Sequence, residues 1–115
     1  MNVKNCLLRF FTKHKAMGCI LVNMEDLERG IKFAADHPDL TIPYAAIDIE
    51  SSTVTDEIRK VKEMGFKGLG ELFAINGFNY DNPKYDSIWI LAEELKMPIL
   101  PHTEIHAKGS VPTPY

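Results

Sequence analysis

Carboxylate and imidazole side chains stand at the ends of three short apolar segments of this chain. Asp48 closes one segment, Glu71 lies near the end of a second, "GLGEL", and His102 ends a third, "PILPH". Divalent metal ions are held in proteins by carboxylates and imidazoles that converge from different strands. The three residues are therefore candidate metal ligands or substrate contacts. Each also has a simpler interpretation, because polar residues are common in any loop that follows a strand.

Glu71 is the most informative of these carboxylates. A carboxylate between a glycine and a leucine of an apolar strand is expensive to bury unless it is paired or bound to a metal. Gly68 and Gly70 would let another backbone or a ligand approach closely. The alternative is that Glu71 lies just outside the sheet and is solvated. The glycines do not form a dinucleotide-binding fingerprint, because Phe73 stands where that motif needs a small residue.

His102 is followed by a second histidine, His106, four residues later. On a helix this spacing is found in zinc proteases, but their motif has a glutamate directly after the first histidine. Thr103 occupies that position here, and Pro101 precedes the pair. We therefore expect a strand end followed by a loop, and not a protease helix.

Segments with helical and with strand-like patterns alternate along the chain. The first helix is predicted over residues 3 to 16 and ends at Gly18. "CILV", 19 to 22, is predicted to be a strand covered on both faces. Further strands are predicted over 42 to 49, 66 to 72 and 98 to 102, and helices are predicted after Asn23, Thr53 and Asn82 as caps.

Three of these helix boundaries carry specific signals. Thr53 and Asp56 resemble a capping box, and Gly65 is predicted to close the same helix. Asn82 precedes Pro83, a residue favoured in the first turn of a helix. Strands alternating with helices predict an α/β fold with four parallel strands. In such sheets ligands bind at the carboxyl ends of the strands, where all three candidate residues lie.

Composition limits the classes of function. The 115 residues are typical of one globular domain, and a net charge of −3 gives no electrostatic case for duplex DNA binding. A small anionic substrate held by a metal stays possible.

No run of about 18 apolar residues predicts a membrane span. Cys6 and Cys19 lack CxxC spacing and are expected to be buried free thiols in a reducing cytoplasm, although a disulfide stays open.

Residues 64 to 103 resemble a known family. "GFKG", 65 to 68, then "LAEEL", 91 to 95, Pro98 and His102 are similar to motifs of the amidohydrolase-related family, metal-dependent hydrolases and decarboxylases with a TIM-barrel fold. "NMEDLERGIKFAADHPDL" and "YAAIDI" are similar to the family's preceding helix and strand. The resemblance runs in order over roughly residues 17 to 103.

The resemblance implies roles for two residues. His102 would be the histidine that ends the fifth barrel strand, a ligand of zinc or manganese. "GLGEL" also resembles the fourth-strand "GEIG" of TatD-type deoxyribonucleases, in which the glutamate binds metal, so Glu71 becomes a second candidate ligand. The TatD pattern then ends, because "FAING" replaces its "GLDY" and "PHTE" replaces its "HSR".

The chain departs from the family in length and in ligands. It contains no His-x-His pair, and 115 residues compare with about 250 for a full barrel. The resemblance thus implies half a barrel, either a fragment of an enzyme acting on a small molecule or a half completed by a partner. Open sheet edges predict a homo-oligomer if the half-barrel is stable by itself. The rival hypothesis is a non-catalytic α/β module that binds a partner through its sheet edges.

Overall fold

A computed structural model describes residues 3–74 and 80–102, with side chains from residue 5 onward. Four parallel strands form one sheet in the order β1-β2-β3-β4, and helices alternate with them along the chain. The predicted α/β fold with a parallel sheet is confirmed. The strands are β1 Gly18–Asn23, β2 Thr41–Ala46, β3 Gly68–Leu72 and β4 Ile99–Pro101, and the helices are α1 Val3–His14, α2 Leu27–Asp36, α3 Val54–Met64 and α4 Asp86–Glu94.

One face of the sheet and the helices α2, α3 and α4 enclose the apolar core. Parallel strands are joined by crossover connections, usually helices, and these helices lie over the sheet and cover its apolar side chains. The helix α4 contributes an apolar stripe to the core, since Tyr85 just before the helix, Ile88 and Ala92 are buried and Trp89 packs against them. The buried cluster comprises Val22, Leu27, Ala45, Ile47, Ile49, Ile58, Val61, Phe66, Leu69, Leu72, Tyr85, Ile88, Leu91, Ala92 and Met97.

The strand β1 is covered on one face only, so the prediction that both faces are covered is wrong. Val22 is buried toward α2, but Leu21 is 47% exposed and Cys19 is also exposed. No disulfide joins Cys6 and Cys19, and both are exposed, which corrects the expectation of buried thiols. The same face of the described sheet is also exposed on β4, at Leu100, so the helices cover one face of the sheet and leave the other open.

Two glycines predicted to end helices behave differently. Gly65 follows α3 with a φ of 108°, a left-handed conformation that glycine adopts without steric cost, and this prediction is confirmed. Gly18 does not end α1. That helix ends at His14, Lys15 takes the positive φ of 52°, and Gly18 is the first residue of β1.

The predicted helix caps are confirmed in part. The Asn82 side chain accepts a hydrogen bond from the Lys84 N–H at 3.0 Å, with Pro83 in the first turn. Thr53 precedes α3 but makes no side-chain capping bond. Its own N–H donates to Ser51 Oγ at 3.2 Å, because the chain enters α3 through a turn that the serine closes. The capping box is therefore wrong, although the helix starts where it was predicted.

The left-handed conformation of Gly65 gives a test of the α3–β3 connection. Replacing Gly65 by alanine should lower the free energy of unfolding by about 1–2 kcal/mol, because a Cβ is strained at this φ. Asparagine tolerates positive φ better and should cost less. Urea denaturation of both variants measures this, and equal losses for alanine and asparagine would contradict it.

Candidate functional site

Glu71 lies at an irregularity in the pairing of β3 with β4. Pairing is regular as far as Gly70, but then Leu72, and not Glu71, lies opposite Pro101. One extra residue in a strand shifts the alternation of its side chains. Leu72 is thus fully buried in the core together with Leu69, while the Glu71 side chain keeps 36% of its surface exposed.

The structure brings His102 and Glu71 together at the carboxyl ends of neighbouring strands. His102 Nδ1 lies 3.3 Å from Glu71 Oε2, and the imidazole side chain is 19% exposed. The imidazole also packs on the ring of Phe73, with centroids 4.6 Å apart. The main-chain N–H of His102 donates to Leu72 O at 2.7 Å, which continues the sheet pairing to the histidine itself.

The spacing of these two atoms fits a bound cation. Two ligand atoms bonded tetrahedrally to zinc, each at about 2.0–2.1 Å, lie about 3.3 Å apart. The same spacing fits an ion pair between the carboxylate and a protonated imidazole. The pair can therefore hold either a proton or a divalent cation between the two side chains, and the two would compete.

Asp48 lies beside the same edge of the sheet, across an open cleft. This cleft of about 480 Å³ is lined by Asp48, Glu71 and Phe73, together with Asn23, Met24, Glu25, Ala46 and Ile47. Asp48 is exposed, and its Oδ1 accepts the N–H of Glu50 at 2.9 Å. One carboxylate oxygen thus orders the turn after β2. Among the side chains of residues 5–74 and 80–102, no group of three His, Cys, Asp or Glu is placed to hold a metal ion.

Tyr80 contacts the main chain at the ends of both strands that carry this pair. The Tyr80 hydroxyl is 2.8 Å from Leu72 O and 2.7 Å from His102 O, and it shares its one hydrogen between these two carbonyls. No sequence motif marks Tyr80, because its contacts are to main-chain atoms and come from a part of the chain far from β4. Only the tertiary structure shows this interaction.

A second polar cluster links the turn after β2 to the start of α4. The Tyr85 ring is 1% exposed, yet its hydroxyl donates a short hydrogen bond to Glu50. Lys84 Nζ lies 3.2 Å from the other oxygen of Glu50. The hydrogen bond with Glu50 raises the pKa of Lys84, which favours its charged form. Both partners of Glu50 lie more than thirty residues away along the chain, so no local sequence signal predicts these contacts.

Cysteine chemistry is disfavoured at β1. Although Cys19 is exposed as a residue, partial desolvation raises the pKa of its thiol. The thiolate is the nucleophilic form of cysteine, and a raised pKa lowers its population at neutral pH.

No helix of the described residues has the length and apolar character that crossing a membrane requires.

Comparison with family models, with curated proteins and with solved structures found no match to this chain. The resemblance to the amidohydrolase-related family therefore rests on the residues quoted above. His106 and Thr103, which entered the comparison with zinc proteases, lie outside the described residues.

The Tyr85–Glu50 contact predicts a measurable coupling. Tyr85→Phe should lower the free energy of unfolding by about 1–2 kcal/mol, because it removes a buried donor from a charged acceptor. Glu50→Gln should cost less on the Tyr85→Phe background than on the original one. Urea denaturation of the two single variants and the double variant measures the coupling, and strictly additive losses would contradict it.

Proposed function

We propose that this chain is half of a metal-dependent (β/α)-barrel hydrolase of the amidohydrolase-related kind. His102 and Glu71 would hold zinc or manganese at the carboxyl edge of the sheet. The observation that carries the proposal is the 3.3 Å approach of His102 Nδ1 to Glu71 Oε2, between the ends of β3 and β4. Carboxylate and imidazole are ligands that both metals accept.

The chemistry follows from the position of the pair beside an open cleft. When bound, a divalent cation polarises a carbonyl oxygen or a water molecule, which supports hydrolysis of an amide, ester or lactone, or a decarboxylation. Asp48, which lines the cleft with Glu71, is the proposed contact for a small-molecule substrate. Its exposed carboxylate can accept a hydrogen bond from the substrate while Oδ1 holds the turn.

The two described ligands are fewer than a catalytic zinc site usually has, which is three protein side chains. The other coordination positions would be taken by water, by substrate or by residues outside the described part of the chain. We therefore expect cation binding by this chain to be weak, and we expect activity to require further strands of the barrel.

Metal titration tests the proposal. We expect the purified chain to bind Zn²⁺ in isothermal titration calorimetry, with affinity lowered at least about tenfold in His102→Ala and in Glu71→Gln. His37→Ala is the matched control, because His37 packs on Phe33 with ring centroids 4.9 Å apart and lies at the end of α2. Affinity should fall with acidity, since protons compete with the metal for the imidazole.

Two results would contradict this assignment. One is a chain that binds no Zn²⁺ or Mn²⁺ at any pH between about 7.5 and 8.5, where an ordinary imidazole is largely neutral. The other is binding that His37→Ala weakens as much as His102→Ala does, since that would show adventitious coordination by surface histidines.

A second candidate function is a non-catalytic module that associates with another copy of itself. It is favoured by the uncovered face of the sheet, where Leu21 is 47% and Leu100 40% exposed. Parallel sheets are almost always covered on both faces, so another surface is expected to cover this one. A homo-oligomer would bury these side chains.

Sedimentation equilibrium separates self-association from a monomer. We expect a dimer whose dissociation constant rises in Leu21→Glu, because a charge is placed on the uncovered face. Leu7→Glu is the control, since Leu7 is exposed to a similar extent, 50%, but lies on α1 and outside the sheet. A monomer at all concentrations, or equal effects of the two substitutions, would contradict the prediction.

A further inference from the structure

Tyr80 joins the two strand ends that carry the candidate ligands. Its hydroxyl is within 2.8 Å of Leu72 O and within 2.7 Å of His102 O. Leu72 directly follows Glu71 on β3, and His102 follows the last residue of β4. The Tyr80 side chain therefore contacts the main chain of His102 and the main chain of the residue that follows Glu71.

Tyr80 is itself fixed by the helix that covers this end of the sheet. The Trp89 indole N–H donates to Tyr80 O at 2.9 Å, and the two rings lie 6.3 Å apart. Trp89 belongs to α4 and is packed against the buried core. The position of the Tyr80 hydroxyl is thus set by α4, and a hydroxyl held in this way can orient the carbonyl groups that it contacts.

We propose that Tyr80 is a positioning residue for the His102–Glu71 pair. It acts through the main chain, because its hydroxyl contacts the His102 carbonyl oxygen and not the imidazole. The His102 N–H already donates to Leu72 O, and the tyrosine adds a second main-chain contact to the same residue, at its carbonyl oxygen. With both contacts the main chain of His102 has one orientation, and the imidazole is directed toward Glu71 and onto Phe73.

The inference rests on the proposed function only in taking this pair to be the cation ligands. The orienting role itself does not depend on a metal. Outer residues that orient a ligand typically change metal affinity by about 10–100-fold when they are substituted. The imidazole also packs on the Phe73 ring, so its proton signals report any rotation directly.

The test is Tyr80→Phe, which removes the hydroxyl and keeps the ring. We expect Zn²⁺ affinity to fall about tenfold in calorimetry. In the metal-free protein, the His102 ring signals, assigned with His102→Ala, should move in proton–carbon spectra while those of His14 and His37 stay in place. Tyr44→Phe is the matched control, because Tyr44 lies on the uncovered face of β2 with its ring over Gly68, and it should change neither quantity.

Each outcome has a definite meaning. Unchanged His102 signals in folded Tyr80→Phe would overturn the positioning role, even if urea denaturation showed a loss of stability. Moved signals together with weaker Zn²⁺ binding support it. If the unsubstituted chain binds no Zn²⁺, the proposed metal function fails, while movement of the His102 signals in the metal-free variant still supports the role of Tyr80.

Discussion

The arrangement of the carboxyl edge depends on the shift in register at Glu71. With strict alternation along β3, Glu71 would lie on the same face as Leu69, beneath the helices. An unpaired carboxylate buried there would cost several kcal/mol. The pairing of Leu72 with Pro101 removes this conflict, because it places the leucine in the core and leaves the carboxylate at the open end of the sheet. The same extra residue thus completes the core and presents the acidic side chain to His102.

This edge is held by few interactions. The strand β4 has three residues, Ile99–Pro101, so it contributes a short run of hydrogen bonds to the sheet. The bond from the His102 N–H to Leu72 O continues the pairing by one residue, and the Tyr80 hydroxyl adds a contact to each of the same two residues. A short strand can in this way position a side chain beyond its own last residue.

The alternation of strands and helices could be predicted from the sequence, because apolar periodicity and signals such as Gly65 and Asn82 act locally. The meeting of His102 with Glu71 was also predicted, since parallel strands bring their carboxyl ends to one edge. The register shift was not predicted. The two leucines of "GLGEL" are three residues apart, so strict alternation would place them on opposite faces, and the shift at Glu71 is what allows both Leu69 and Leu72 to be buried. Tyr80 was missed because its partners are main-chain carbonyls, which carry no sequence signature.

The two edges of the described sheet differ in their ability to accept another strand. Leu69 N donates to Pro98 O and His102 N donates to Leu72 O, so the alternate residues Ile99 and Pro101 turn their polar groups away from β3. Proline has no N–H, and such residues protect an edge from strand addition. The outer edge of β4 therefore offers a single donor, whereas β1, Gly18–Asn23, contains no proline. A strand added beside β4 would bond chiefly through Ile99, whereas every residue of β1 that turns its polar groups outward has an N–H to donate.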